Sequence, residues 1–376
     1  MNQSGSRRSI TWLLALLLVL VAVAAACGGG ESEEAEPATT SEATTADTGV
    51  PADTGAADTG TGAATAQASG EPVRIASFLL AFANSYSQKD KEGVENAAEE
   101  FGPAEVQFFD GEFDGSVQLT QLEDATASGN FDAFVLFAND GTVVQPAVEE
   151  AIEADIKVVA VYTPIGPDIN SLDQQVPGLV ATVANPIEGD GIGMGEAAVD
   201  ACGDQDPCEV VYVSGGFQIP FEVAKFDAFK SVIGEHPNIQ LVGQGEAGFL
   251  REEGYTVAQD LLQANPDLNV FVTSGDQMTF GAEQAMIDAG ISEGQIALVG
   301  NGASCEAVEA VAEGRWHSSF VYQPITEGYL GTKLAIEAVR GEAPEYTSIE
   351  MIEESPIGEF VTQENADEFE CEWNIG

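Results

Sequence analysis

Aromatic and amide side chains recur where strands are expected to end. Phe82, Asn84 and Tyr86 follow the apolar run from Val73 to Leu80. Asn139 and Asp140 follow Phe131–Phe137, and Tyr162 closes Ile156–Tyr162. Further on, Phe217 and Gln218 follow Glu209–Ser214, Asp276 follows Val272–Gly275, Asn301 follows Val299-Gly300, and Tyr322 ends Ser318–Tyr322. Taken singly, such residues are turn or cap residues, and Asp140 and Asp276 can each N-cap the helix that follows. Their repetition at one end of successive strands argues for a pocket of aromatic faces and hydrogen-bonding amides. That chemistry suits a small polar ligand with apolar faces, a sugar or a polyol.

Catalytic and metal chemistry find less support. Asp110-x-Glu112-x-Asp114-Gly115 resembles the start of a calcium loop. Its twelfth position is Gln121 rather than a bidentate Glu, and a strand precedes it, so it reads as a solvated turn. The two histidines, His236 and His317, lie in a helix-end loop and at a strand start, without triad partners. No activated nucleophile, phosphate-binding loop or Cys-x-x-Cys zinc pattern stands out. The expectation is a binding protein with no catalytic residues, metal or cofactor.

The elements that must hold these residues alternate. Val73–Leu80 is apolar without alternation, as in a strand buried on both faces. A helix over Ser87–Phe101 follows, with Val94, Ala97, Ala98 and Phe101 on one face and Lys91, Glu92, Glu95, Glu99 and Glu100 away from it. Ser85 and Gln88 suggest a capping box, and Gly102-Pro103 a stop. The β–α alternation runs to about Val183 and restarts at Asn185, which predicts two doubly wound parallel-sheet lobes, Rossmann-like, with the ligand in the cleft between them. The Gly189, Gly191, Gly193 and Gly195 series reads as helix packing.

Composition narrows the partners. With 63 acidic residues against 12 basic and a net charge of −51, the chain lacks the basic footprint that nucleic acid needs. The acidity reads as a solvated surface. Arg7-Arg8 followed by the apolar Trp12–Ala26 is a signal segment too short for a membrane span, predicting a signal peptide over 1–26. Ala24-Ala25-Ala26-Cys27 resembles a bacterial lipobox, so Cys27 is expected to carry lipid. Residues 27–71 form an acidic, Thr/Ala/Gly-biased tether with Ala-Asp-Thr-Gly repeated, expected to be disordered and to span about 35–40 Å. The four remaining cysteines allow a small loop closed by Cys202 and Cys208 and a second pair, Cys305 with Cys371, although sequence leaves the connectivity open.

Three stretches carry a family resemblance. Asn84-Ser85-Tyr86-Ser87 through Gly93, with Ala97-Ala98-x-x-Phe101-Gly102, is similar to the opening strand–helix of the ribose-type periplasmic binding proteins. Gly275-Asp276-Gln277-Met278-Thr279-Phe280-Gly281-Ala282 and Ile296–Gly300 through Gly314 resemble two further motifs of that family. The resemblance implies a type 1 periplasmic-binding-protein fold: an N-terminal lobe of 72–184 plus 323–351 and a C-terminal lobe of 185–322 plus 352–376. A three-crossing hinge near Ala184-Asn185, Tyr322-Gln323 and Glu350–Glu353 would join them. It implies a monomeric solute receptor on the outer side of the cytoplasmic membrane, delivering a ligand to an ABC permease. Asn84 and Tyr86 match sugar-contacting positions, and Phe249 falls near a pocket aromatic. The family's charged residues are replaced by Tyr162-Thr163 and Asn301-Gly302, its Asn by Gly275 and its Gln by Tyr322, so a more aromatic, less charged ligand is implied. A sensory or chemotaxis component, or a receptor for a nucleoside or amino-acid-like ligand, would share this architecture.

Overall fold

Strand β1 (Val73–Leu79) is buried at every position but Arg74, which pairs at the rim with Asp132. Helix α1 (Ser85–Glu100), β2 (Ala104–Asp110), α2 (Gly115–Ser128), β3 (Ala133–Phe137), α3 (Gly141–Glu153), β4 (Lys157–Val161) and β5 (Ala181–Ala184) follow. The alternation restarts with α4 (Ile187–Cys202), β6 (Cys208–Ser214), α5 (Pro220–Ile233), β7 (Ile239–Glu246), α6 (Arg251–Ala264) and β8 (Val270–Thr273). It continues through α7 (Asp276–Asp288), β9 (Ala297–Gly302), α8 (Cys305–Ala312), β10 (Ser318–Val321) and α9 (Pro324–Val339). Two short strands, β11 (Ser348–Glu350) and β12 (Phe360–Thr362), and the 3-10 turns Met351–Glu354 and Ala366–Glu368 complete it. This computed structural model describes residues 70–342 and 346–375. The expected signal segment, Cys27 and almost all of the tether lie outside the described residues.

The strands form two sheets, β11-β5-β4-β3-β1-β2 and β12-β10-β9-β8-β6-β7. The first is parallel throughout; in the second, β12 runs antiparallel to β10 at the edge. The central strands β3, β4 and β8 are apolar but for Lys157 at the start of β4 and Thr273 at the end of β8, because helices cover both faces. Edge strands β2 and β7 alternate half-buried and exposed residues over much of their length, as one-sided cover requires. In each sheet the order reverses between the first and third strands of the set, β1 with β3 and β6 with β8. Loops leaving a reversal point diverge to opposite faces and open a crevice. The chain passes between sheets three times, after β5, after β10 and between β11 and β12. No helix among the described residues is long and apolar enough to cross a membrane.

Two local details differ from expectation. Helix α1 starts at Ser85, and its cap is Asn84, whose Oδ1 accepts from Ser87 N at 3.0 Å. The Ser85/Gln88 capping box does not form, because Ser85 Oγ instead accepts from Gln277 Nε2. Both disulfides are present, Cys202–Cys208 joining α4 to β6 and Cys305–Cys371 joining α8 to the C-terminal tail.

Helices α4 and α5 approach closely at Gly191. A Cβ there would lie 2.2 Å from the Lys225 carbonyl oxygen. That contact brings Asp190, one residue earlier, toward Lys225. Substituting Gly191→Ala should therefore destabilise the protein by about 1–3 kcal/mol through overpacking. Chemical denaturation checks this: the midpoint should fall with little change in slope, and a wild-type midpoint would refute the packing role.

Candidate functional site

The crevice edges of the two sheets face each other across a cleft. From the first sheet come Leu80, Asn84, Tyr86, Phe137 and Tyr162; from the second, Phe221, Phe249, Ser274, Gly275, Gln277, Asn301 and Gly302. Tyr322 enters where the chain leaves β10, and Trp373 enters from the C-terminal tail. The free space measured at water centres is about 40 Å³, within about 400 Å³ of non-atom space that includes the mouth. The smaller figure is room for about three waters. Admitting a monosaccharide therefore requires the lobes to part or the rings to swing.

Rings build the walls. Tyr162 stacks on Phe137 (centroids 4.6 Å apart) and on Tyr322 (5.3 Å). Tyr86 meets Phe137, Tyr162, Tyr322 and Trp373 edge-on. The phenol oxygens are engaged with protein partners. Tyr86 donates to Glu327 Oε2 at 2.8 Å, Tyr162 to Tyr322 at 3.1 Å, and Tyr322 to Asp190. Phe249 lies over Gly215 and stacks on Phe113 of the first lobe, with centroids 6.0 Å apart. Phe113, Tyr162 and Phe249 all hold positive φ, at 56°, 61° and 55°. Bulky residues rarely adopt this conformation, and it collects at ligand-handling segments.

Behind the rings sits a buried cation. Lys225 Nζ donates to Tyr162 OH at 2.7 Å and lies 5.2–5.5 Å from the ring centroids of Tyr162, Phe221 and Tyr322. Asp190 and Glu222 carboxylates are each 3.8 Å away. Glu222 Oε2 is fixed by Ser214 Oγ, Ser274 Oγ and Gly215 N. Burial works against the ammonium, but the oxygens of Tyr162, Glu222 and Asp190 more than offset it, and the Lys225 pKa is raised. Burial lifts Asp190 to about 6, held down in part by Lys225. A second acidic group lies behind Tyr86. Burial lifts Asp90 to about 8, and burial with the Asp90 charge raises Glu327 well above the usual range.

Of the residues singled out from sequence, Asn84, Tyr86, Tyr162, Phe249, Asn301 and Tyr322 line the cavity. Six others do not, and the reasons are local. Asn139 is buried, its Nδ2 donating to the Leu80 and Gly111 carbonyls. Asp140 caps α3, accepting from Thr142 N and Val143 N. Phe82 is exposed on the rim, its amide donating to Asp110. Phe217 packs on Phe226, and Gln218 is exposed beside Gly216. Asp276 turns beneath the sheet edge to Ser304 N and Ser319 Oγ, where burial lifts its pKa to about 6. Sequence reading missed Phe137, Phe221, Gln277, Trp373 and the Lys225 network. Lys225 carried one signal: it shares an i, i+4 face with Phe221 and Phe229, where a solvated lysine is out of place.

Residues 75–343 match the family model described as periplasmic binding protein domain, and the chain belongs to that family. Among curated proteins it is similar to the ribose import binding protein of Bacillus subtilis, 25% identical over 259 residues, covering 68% of this chain and 78% of that one. The ribose import binding protein of Escherichia coli K12 is 24% identical over 270 residues, 71% and 85% of the two chains. Among solved structures, a Mycobacterium smegmatis ABC transporter solute binding protein with bound glycerol shares the fold at a TM-score of 0.68 and 23% identity, over 81% of this chain and all of that one. A Bacillus halodurans solute binding protein with bound myo-inositol does so at 0.69 and 22%, over 81% and 99%.

The Asp90 carboxyl gives a pH signature. Its folded pKa of about 8 lies above the ordinary value of 3.8. The stability linked to its proton is therefore full below about pH 4 and is lost as pH rises through about 8. Asp90→Asn should gain melting temperature over wild type, and the gain should widen from pH 5 to pH 8.5. Parallel melting curves against pH would contradict the assignment.

Proposed function

We propose that this protein is the extracytoplasmic solute-binding lipoprotein of an ABC importer, holding a sugar or polyol in the cleft. The arrangement that carries this reading is a wall of aromatic faces whose hydroxyls are already spent on Glu327, Tyr322 and Asp190. The rings can stack on the C–H face of a carbohydrate, while Asn84, Gln277 and Asn301 supply amide groups at the same cavity. The charged groups stand behind the rings, which favours a neutral ligand. The names of its relatives agree: ribose import for the Bacillus subtilis and Escherichia coli proteins, with glycerol and myo-inositol bound in two neighbours of the same fold.

On this reading the lobes are 72–184 with 323–351 and 185–322 with 352–376, and the three crossings are the hinge. Ligand docks on one lobe, and contacts with the second favour the closed form, which is presented to the permease. The protein acts as a monomer without catalysis, tethered through lipid on Cys27.

The test is a thermal-shift screen of the full-length protein against D-ribose, D-allose, myo-inositol, glycerol, nucleosides and amino acids. A carbohydrate at a hundred times its dissociation constant should add about 2.7 kcal/mol. Tyr86→Ala should weaken that compound at least about tenfold, about 1.4 kcal/mol. Stabilisation by nucleosides or amino acids alone would overturn the carbohydrate reading.

A further inference from the structure

Neither sheet accounts for the C-terminal tail, yet it reaches the cleft. Cys371 is bonded to Cys305 at the start of α8, against the second sheet. The next residue, Glu372, accepts from Ile325 N at 2.8 Å, Thr326 N at 3.0 Å and the Thr326 hydroxyl, capping α9, which packs on the first sheet. The tail is thus fastened to both lobes within two residues. Between these anchors and the C-terminus, Trp373 turns inward and is 1% exposed. Its carbonyl accepts from Cys305 N at 2.8 Å, and its Nε1 donates to Gly302 O at 2.8 Å. Its ring stands edge-on to Tyr86 at 5.8 Å. Gly302 makes room for it: φ there is 145°, and a Cβ would lie 2.6 Å from the indole Cζ2.

We infer that Trp373 is a specificity-determining residue of the ligand site, supplied by the tail and held there by the Cys305–Cys371 disulfide. The inference rests on reading the cleft as a carbohydrate site. The indole N–H is committed to Gly302, so Trp373 presents only an apolar surface to a ligand. It discriminates by shape: it is the face a small ring packs against, and it is the barrier that stops a larger one. The disulfide acts through it. Without the bond, the tail keeps its cap on α9 but loses its covalent hold on α8, and the indole loses its fixed depth.

Calorimetric titration of the full-length protein with D-ribose, D-allose, myo-inositol and glycerol tests this in wild type, Trp373→Ala, Trp373→Leu and Cys305→Ser/Cys371→Ser. Trp373→Ala should change the ratio of D-ribose to D-allose affinity at least about tenfold in favour of the larger sugar, the scale a pocket wall commands. Trp373→Leu, which keeps an apolar core residue, should shift it the same way by a smaller factor and supplies the readout if the alanine variant does not fold. The disulfide variant should lose at least about fivefold in affinity for the best wild-type probe. In a Trp12→Phe/Trp316→Phe background it should also expose Trp373 to acrylamide quenching, a readout that needs no ligand. Binding by wild type with unchanged ratios in both Trp373 variants, or a Trp373 equally shielded without the disulfide, overturns the inference alone. Failure of wild type to bind any of the four probes overturns the carbohydrate reading and the inference with it.

Discussion

The Lys225 ammonium governs the middle of the molecule. A cation removed from water is costly unless charge and hydrogen bonds replace its hydration. Here two carboxylates, a phenol oxygen and three ring faces do so. Among the described residues it is the one fully buried base. Its needs propagate outward. Asp190 must come close, which requires α4 to pack on α5 at Gly191. Glu222 must be held, which uses Ser214, Ser274 and the Gly215 amide. Tyr162 must turn its hydroxyl from the first lobe toward the second, and it does so in a left-handed backbone conformation. What remains facing the cleft is aromatic rings and uncharged polar side chains: the charge has been drawn behind its walls.

That placement links topology to chemistry. Doubly wound sheets open a crevice where the strand order reverses, and the two crevices here oppose each other. The chain crosses beside them, so Tyr322, where the chain leaves β10 for α9, and Trp373 on the tail both reach the cavity. Phe113 with Phe249 and Ser85 with Gln277 touch directly across the cleft. In this conformation the lobes are therefore joined by contacts of their own across the cleft.

Much of the fold was legible because its physics is local. Unbroken apolar runs such as Phe134–Val135–Leu136 fit strands covered on both faces, the β–α alternation makes them parallel, and the restart after Asn185 doubles the unit. The site was legible in outline only. A strand-end residue faces either the crevice or the next helix, and residue type does not separate the two: Asp140 and Asp276 went to helix and loop amides, while Tyr162 and Asn301 went to the cavity. Asn84 does both, capping α1 and lining the cleft. Trp373 gave no periodic signal, since its position depends on a disulfide and on a helix cap some fifty residues earlier in the chain. Lys225 could have been found, because a lysine in register with Phe221 and Phe229 must find partners inside.

The most direct measurement is a crystal structure of the protein saturated with the carbohydrate that binds it best. Density for one ring is expected between the lobes, against Tyr86, Tyr322 and Trp373, with Asn84, Gln277 or Asn301 on its hydroxyls. An empty cleft with the sugar bound elsewhere, or a ligand held by Lys225 and Asp190 through displaced tyrosines, would contradict a site built from aromatic faces.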